Sequence, residues 1–201
     1  KKEAPKDFEF SLPASQVITH SADSSSYAKI LAKIPDRRRA FCGHFKDTAE
    51  VGLAWESTRA LSAALGAKFI VFETPASFYP DSNHLRDMYR FFKTIERGEA
   101  ALIWQPRATW EPRMLGKVCA DLGLTRAIDP LAEPGAKISG PRYFRLRGPQ
   151  YSDVQLRELL RAAEQGPSYV YFTHRDGWKQ ARRFKEMREG RVRGARARGD
   201  Y

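Results

Sequence analysis

Short apolar runs alternate with amphipathic segments along most of the sequence, and this alternation constrains the fold more than any other feature. The candidate strands are FEFSL (8–12), KFIVFE (68–73), AALIWQ (100–105), TRAID (125–129), RYFRLRG (142–148) and SYVYFT (168–173). Most of them are apolar at successive positions, as expected of parallel strands that helices cover on both faces. Strands that alternate with helices predict an α/β fold built on a parallel sheet.

Five helices are predicted between and after these strands, because each intervening segment carries apolar residues at helical spacing. Residues that commonly start or stop helices mark the ends: Asp47 with Glu50 to Gly66, Ser82 to Gly98, Pro112 to Gly123, Ser152 with Gln155 to Gly166, and Asp176 at the start of the last helix. The last helix is predicted to turn Trp178, Ala181, Phe184 and Met187 toward the core.

A doubly wound sheet and a (β/α)-barrel both fit this order of elements. No GxGxxG or GxxxxGK[ST] motif follows any predicted strand, which weakens the nucleotide-binding version. Polar side chains at the C-terminal ends of different strands are typical of a barrel mouth, where the active sites of that fold lie. Those side chains are Glu73, Gln105, Asp129, Arg147 and His174.

The sequence carries a surplus of positive charge, which favours a polyanionic partner such as DNA or RNA. The formal net charge is +11, and residues 175–201 contain ten basic and four acidic residues. Two interpretations stay open for this segment: a solvated helix face with a solubility tail, or a surface that grips phosphates. The candidate nucleic-acid contacts in it are Arg182, Arg183, Arg191, Arg193, Arg196 and Arg198. Residues 190–201 are expected to form a disordered Arg/Gly-rich tail.

The sequence gives no reason to expect a membrane partner or an exported protein. No apolar run reaches the ~18 residues of a membrane span, and the charged N-terminus lacks the apolar core of a signal peptide. Cys42 and Cys119 have no zinc-site spacing, so buried free thiols in a reducing compartment are expected. We therefore expect a cytoplasmic protein, and the sequence requires no cofactor and predicts no metal site.

Six motifs occur together in an order that resembles the domain-of-unknown-function-72 (YecE-like) family, and its archaeal-type branch in particular. They are FEFSLPASQVITH, LGAKFIVFETPASFYP, LIWQPRATW, AIDP, YFRLRG and YVYFTH. The resemblance extends to about residue 189 and implies a TIM-barrel-like domain over residues 1–189. It carries no established activity, but a likeness of the family to endonuclease-IV-like barrels implies nucleic-acid binding or phosphodiester chemistry as candidates.

Two strands that precede FEFSL in the family, one reading GtSGW and one ending near nsTFY, have no counterpart in this sequence. We expect FEFSL to correspond to the third barrel strand, so that strands three to eight are present and the barrel is N-terminally incomplete. Six of eight strands leave two unpaired edges. The resemblance therefore implies a partner chain, or a missing N-terminal segment, that supplies two strands.

Several residues at the predicted barrel mouth differ from the family pattern, and these differences affect whether catalysis is expected. Glu73 stands where the family has Gln, and Gln105 stands where it has Glu. Pro13, Arg147 and His174 also depart from the pattern, whereas positions that match it are Thr19, His20, Pro75, Phe78, Arg107, Trp110, Asp129, Arg145 and Gly148. An exchanged acid and amide fit a preserved charge balance around the arginines better than preserved catalysis.

The candidate catalytic residues are Glu73 and Asp129, as bases or metal ligands, and His20, as a metal ligand or proton shuttle. The candidate ligand and phosphate contacts are Arg107, Arg145, Arg147, Gln105, His174, Trp110 and Tyr151. Arg145 and Arg147 should point to one side of their strand, with Phe144 and Leu146 on the helix-covered side. In the competing interpretation, Glu73 pairs with Arg107 or Arg145. His44 and His84 are interpreted as surface or packing histidines.

Three functions remain in competition on the sequence alone. The first, which the charge favours, is binding of nucleic acid or another phosphate-rich ligand through a basic barrel mouth and an Arg-rich C-terminus. The second is a metal-dependent phosphodiesterase or hydrolase of the endonuclease-IV-like type. The third is a non-catalytic subunit that completes its barrel with a partner chain.

Overall fold

The computed structural model describes residues 4–22, 24, 34–136, 138 and 140–190. In this part of the chain the strands are β1 (Phe10–Pro13), β2 (Ala67–Thr74), β3 (Ala101–Pro106), β4 (Thr125–Ile128), β5 (Arg142–Leu146) and β6 (Ser168–Phe172). The helices are α1 (Gln16–Thr19), α2 (Asp36–Arg39), α3 (Ala49–Leu65), α4 (Ser82–Thr94), α5 (Pro112–Leu122), α6 (Asp153–Glu164) and α7 (Gly177–Arg188). Each predicted strand overlaps an observed one.

The strands of the described chain hydrogen-bond in sequential order, β1-β2-β3-β4-β5-β6, and every neighbouring pair is parallel. A doubly wound sheet reverses its strand order at a switch point, whereas a (β/α)-barrel adds each strand beside the previous one. The α/β, TIM-barrel-like fold predicted from the sequence is therefore confirmed.

Local signals set several helix ends as predicted. Gly66 and Gly123 adopt the left-handed conformation, with φ of 62° and 58°, and end α3 and α5. Glycine meets that requirement without a Cβ clash, so the chain can turn sharply after the helix. At the start of α6, Ser152 and Gln155 form both hydrogen bonds of the predicted capping box.

Other helix ends differ from the prediction. Thr48, and not Asp47, caps α3 by accepting a hydrogen bond from the Val51 amide. The Asp47 carboxylate instead pairs with Arg90, 2.9 Å away, so a tertiary contact competes with the local cap.

Helix α4 also begins and ends at residues that were not predicted. It is capped by Asp81 rather than Ser82, because the Asp81 carboxylate accepts from the amides of Asn83 and His84. The helix ends at Thr94, well before Gly98, because Ile95 takes an extended conformation.

Helix α7 turns Phe184 and Met187 toward the core as predicted, but not Trp178. Its buried residues are Gly177 and Phe184, which are seven positions apart and lie on one face. Trp178, the residue after Gly177, points away from the buried face and is 65% exposed, so its place in the predicted inward stripe was wrong. Gly177 packs so closely that an added Cβ would lie 2.3 Å from the Phe172 carbonyl oxygen.

The chain divides into two compact units, Lys1–Arg126 and Ala127–Tyr201. In the first, Phe72 and Trp104 from the strands pack in one cluster with Trp55, Met88 and Val118 from the helices. The boundary predicted at residue 189 stays a prediction, and the tail from residue 191 onward lies outside the described residues.

The second unit has its own apolar cluster, in which Phe144 and Leu146 of β5 pack with Leu156, Leu159 and Phe184 from the helices. The prediction that Phe144 and Leu146 face the helices is therefore confirmed.

Within the described ranges, no helix combines the length and the apolar character that crossing a bilayer would need.

Candidate functional site

Glu73 and Gln105, the acid and amide at two strand ends, lie directly beside each other in the register of β2 and β3. The Glu73 carboxylate accepts a hydrogen bond from Nε of Arg107, which follows β3, and the two side chains form an ion pair. The Arg107 amide also donates to the Thr74 carbonyl, 3.1 Å away, which holds the arginine beside the end of β2. The interpretation in which Glu73 pairs with Arg107 is therefore confirmed.

Gln105 is only 2% exposed, and its Oε1 has no hydrogen-bond partner among the described residues. Its neighbour Trp104 belongs to the cluster beneath the helices, so Gln105 points to the opposite face of the sheet. A buried amide oxygen without a partner is a place where a donor from a water or a ligand can bind. This position is consistent with the predicted ligand contact at Gln105, which stays a prediction.

His20 ends α1 and is 5% exposed, with its Nδ1 2.8 Å from the hydroxyl of Thr19. Burial lowers the pKa of His20, Glu73 opposes this shift and Arg107 adds to it. His20 therefore lies close enough to Glu73 and Arg107 for their charges to act on its ring, and all three residues belong to the first unit. The imidazole is consequently held neutral at neutral pH, the form in which one ring nitrogen donates and the other accepts.

Asp129 follows β4 in the second unit and binds backbone with both carboxylate oxygens. Oδ1 accepts from the Leu131 amide at 3.1 Å, and Oδ2 accepts from the Arg147 amide at 3.2 Å. The carboxylate therefore holds the turn after β4 and ties it to the end of β5. Catalysis by Asp129 stays a prediction, and the observed contacts show a scaffolding role.

Two of the remaining strand-end residues of the second unit, Gly148 and His174, lie beside Tyr151. The Tyr151 hydroxyl accepts from the Gly148 amide at 2.5 Å, and an added Cβ at Gly148 would lie 2.8 Å from the tyrosine ring. The His174 ring centre is 6.2 Å from that of Tyr151, and neither ring nitrogen of His174 has a hydrogen-bond partner in the described part of the chain. Arg145 is half-buried and Arg147 is exposed.

Two aromatic residues predicted to contact a ligand are buried. Trp110 is 5% exposed and packs against Trp104 and Phe78, with ring centres 5.0 Å and 6.0 Å away. Tyr151 is 6% exposed and lies in the apolar cluster of the second unit. Their ligand contacts stay predictions, but an aromatic face is presented to solvent by Trp178 instead.

Four basic residues of α7, Lys179, Arg182, Arg183 and Lys185, are exposed and paired with acids. Arg182 forms an ion pair with Glu186 at 3.0 Å, and Arg183 forms one with Asp153 at 2.6 Å. Arg191, Arg193, Arg196 and Arg198 lie outside the described residues. Exposed pairs of this kind are weak in water, so a phosphate can compete for the guanidinium groups.

The predicted residues thus form two groups, one in each unit. The first unit contains His20, Glu73, Gln105 and Arg107, and the second contains Asp129, Arg145, Arg147, Tyr151 and His174. Their common role at one barrel mouth stays a prediction. Within the described residues, no three His, Cys, Asp or Glu side chains are grouped so that they could hold a metal ion.

Sequence reasoning missed a hydrogen-bonded set in the first unit that contains Ser77, His44, His84 and Asp81. Asp81 and His84 lie three residues apart at the start of α4, a spacing that brings a cap and a histidine together. That local signal was available in the sequence. The contact of His84 with His44, 40 residues earlier, was not.

No protein-family model matches the sequence, and no curated protein matches it. Among solved structures, the chain is similar to the crystal structure of a DUF72 family protein from Thermotoga maritima. The TM-score is 0.61 and the sequence identity is 15%, over 94% of this chain and 76% of that chain. A structural similarity at 15% sequence identity shows a shared fold. It therefore supports the family resemblance of the sequence motifs as far as the fold is concerned. The chain therefore has the α/β, TIM-barrel-like fold of a DUF72 family protein.

Proposed function

We propose that the protein binds single-stranded nucleic acid, or another phosphate-rich ligand, through the exposed face of α7 and the Arg-rich segment that follows it. The observation that carries this proposal is Trp178, a tryptophan that is 65% exposed on a basic helix. Exposed tryptophan rings in basic surfaces stack on bases, while arginine and lysine contact the backbone phosphates.

Trp178, Arg182 and Lys185 lie on one face of α7, since they are four and three positions apart. The side chains of Arg182 and Lys185 are 74% and 69% exposed. We call Trp178, Arg182 and Lys185 the α7 face. Its acidic partners, Glu186 and Glu189, lie on the same helix or just after it, so a phosphate can replace them without any change of fold.

The predicted basic mouth contributes less to the proposal than the α7 face does. Arg107 already has an anionic partner in Glu73, and a phosphate would have to compete with that carboxylate. The metal-dependent phosphodiesterase alternative uses Glu73 and Asp129, and both carboxylates are engaged by groups of the chain itself. We therefore favour binding over this chemistry.

The test is a titration of a fluorescently labelled single strand, as DNA and as RNA, by fluorescence anisotropy across ~50–200 mM salt. We expect Trp178→Ala to weaken binding by about 1–3 kcal/mol. We expect Arg182→Gln to reduce the slope of log K against log salt by about 0.7. The first matched control is Arg86→Gln, whose guanidinium is also exposed and paired, in the other unit.

The second matched control is Tyr79→Ala, which removes an aromatic side chain that is 56% exposed. Neither control should change the affinity or its salt dependence. An affinity that does not vary with salt, or equal losses in the Trp178→Ala and Tyr79→Ala variants, would contradict the proposal.

We also propose that a partner chain, or an N-terminal segment, adds strands beside β1. Strand β1 lies at the end of the strand order. An apolar groove of about 530 Å³, lined in part by Leu12, Val17 and Leu53, lies beside it. Leu53 and Leu61 of α3 are 63% and 49% exposed there. A second polypeptide in constant ratio after purification would support a partner chain as the source of the strands, and its consistent absence would contradict that source.

We also propose membership of the DUF72 family, in its archaeal-type branch, and a cytoplasmic location. The six sequence motifs and the shared fold support the first. Cys42 and Cys119 are both buried, as is usual for thiols of proteins in a reducing compartment. Burial raises the pKa of Cys119 to about 11, so this thiol stays protonated and unreactive at neutral pH.

A further inference from the structure

A continuous chain of hydrogen bonds leads from a partly exposed carboxylate to an exposed serine in the first unit. The Asp81 carboxylate lies 2.6 Å from Nδ1 of His84, and Nε2 of His84 lies 3.1 Å from Nδ1 of His44. Nε2 of His44 then lies 3.3 Å from the hydroxyl oxygen of Ser77, which is exposed in the loop after β2. We call these four residues the relay.

The carboxylate at one end sets the position of every proton in the relay. An ionised carboxylate only accepts, so Nδ1 of His84 must donate to Asp81, and the Tyr79 carbonyl 2.9 Å away requires the same donor. In neutral His84, Nε2 is then an acceptor, so His44 must donate from Nδ1. Nε2 of His44 is left as an acceptor, and it faces the hydroxyl of Ser77.

The backbone that carries His44 is strained and firmly held. Gly43, His44 and Phe45 all have positive φ, at 82°, 52° and 57°. The Gly43 and Phe45 amides donate to the carbonyls of Val17 and Ile18, at 2.7 Å and 2.9 Å. Non-glycine residues rarely adopt the left-handed conformation, and two in succession are rarer still. Strain of this kind clusters at functional sites. Here it points the imidazole of His44 at Ser77.

The environment keeps His44 in the form that accepts a proton. Burial is the largest cause that lowers the pKa of His44 to about 4, and His84, Lys46 and His20 add to it while Asp81 opposes it. His44 is therefore unprotonated at neutral pH. The ring also packs 5.6 Å from Phe78, which limits its rotation.

We propose that Ser77 is a nucleophile that accepts an acyl group from a carboxylic ester, with His44 as its general base and with His84 and Asp81 as positioning residues. Three observations carry this inference: the hydrogen-bond distances along the relay, the positive-φ backbone at the base and the exposure of the serine in the loop after a barrel strand. None of these residues belongs to the α7 face.

The covalent step balances without any further reactant except water. The Ser77 oxygen forms a bond to the acyl carbon as its proton moves to Nε2 of His44. The ester C–O bond breaks, and the leaving oxygen takes that proton and departs as the alcohol. Water then attacks acyl-Ser77, again with His44 as the base, which releases the carboxylic acid and restores the hydroxyl.

The test treats the full chain with 4-nitrophenyl acetate, follows 4-nitrophenolate release and maps the acetyl group by peptide mass spectrometry. We expect acetylation at Ser77 and its loss in Ser77→Ala. His44→Gln should slow the acetylation at least about 100-fold. The matched control is Ser82→Ala, which removes another exposed serine five residues away.

Asp81→Asn separates the relay from folding. The asparagine oxygen can still accept hydrogen bonds from the amides of Asn83 and His84, but the NH2 group that replaces the second oxygen cannot accept one from Nδ1 of His84. Acetylation should slow in this variant while circular dichroism and the thermal midpoint stay close to wild type. Acetylation of Ser77 no faster than that of Ser82 would overturn the proposal. So would a Ser77 rate that is unchanged by both Asp81→Asn and His44→Gln.

Discussion

The guanidinium of Arg107 donates a hydrogen bond from Nε to the carboxylate of Glu73, so the acid at the end of β2 faces an arginine of the same unit. The Arg107 side chain is 54% exposed and that of Glu73 is 26% exposed. Charge pairs that water reaches in this way contribute little to stability. The pair matters more for the charge that it presents to His20.

Glu73→Gln and Arg107→Gln should therefore move the pKa of His20 in opposite directions. Glu73 raises that pKa and Arg107 lowers it, so loss of the carboxylate lowers it further and loss of the guanidinium raises it. Either variant should change the free energy of unfolding by less than about 1 kcal/mol. NMR titration of the His20 ring protons measures the shifts, and shifts of the same sign in both variants would contradict the assignment.

The folded protein should lose stability as the pH falls from about 6.5 toward about 4, because the pKa of His44 is lowered to about 4 from its ordinary 6.5. The unfolded chain takes up a proton on this residue first, so the stabilisation is fully present above pH 6.5 and is lost as the pH falls. His20 acts in the same direction. Urea unfolding at several pH values gives the free energy of unfolding as a function of pH. Between pH 6.5 and 4 this free energy should fall less steeply for His44→Gln than for wild type.

Gly43→Ala should destabilise the protein by at least about 2 kcal/mol, through left-handed strain and a backbone clash. The φ of Gly43 is +82°, and an added Cβ would lie 2.2 Å from the His20 carbonyl oxygen. The matched control is Gly52→Ala in α3, where an added Cβ meets nothing within 4 Å. That control should stabilise the helix by about 0.5–1 kcal/mol. Chemical denaturation measures the free energy of unfolding of both variants. Equal changes in this free energy would contradict the prediction and would show that the loop around Gly43 relaxes.

Thr74→Val should cost about 1–3 kcal/mol although it keeps the shape of the side chain. The hydroxyl of Thr74 accepts from Nε1 of Trp104 at 3.1 Å, and both residues are fully buried. Valine leaves the indole N–H buried without this acceptor. Thr94→Val, at an exposed site where the hydroxyl donates to a helix carbonyl, should change the free energy of unfolding by less than about 0.5 kcal/mol. Equal free-energy changes would show that the Trp104 N–H finds another acceptor.

Elements whose signals lie within a few residues could be predicted from the sequence. The capping box of Ser152 and Gln155 and the helix stops at Gly66 and Gly123 are local, so nothing distant had to be known. The local prediction failed where a tertiary contact competed, as at Asp47, whose carboxylate pairs with Arg90. It also failed for Trp178, which is exposed although Phe184 and Met187 of the same predicted stripe pack in the core.

The sequence alone determined the alternation of strands and helices, the apolar strands that a covered parallel sheet requires, and the polar residues at the strand ends. Only the tertiary structure decided which groups those polar residues meet. Glu73 and Arg107 are 34 residues apart, and His44 and His84 are 40 apart. Periodicity encodes which face of an element is buried, but a contact between distant side chains depends on how strands register and helices pack.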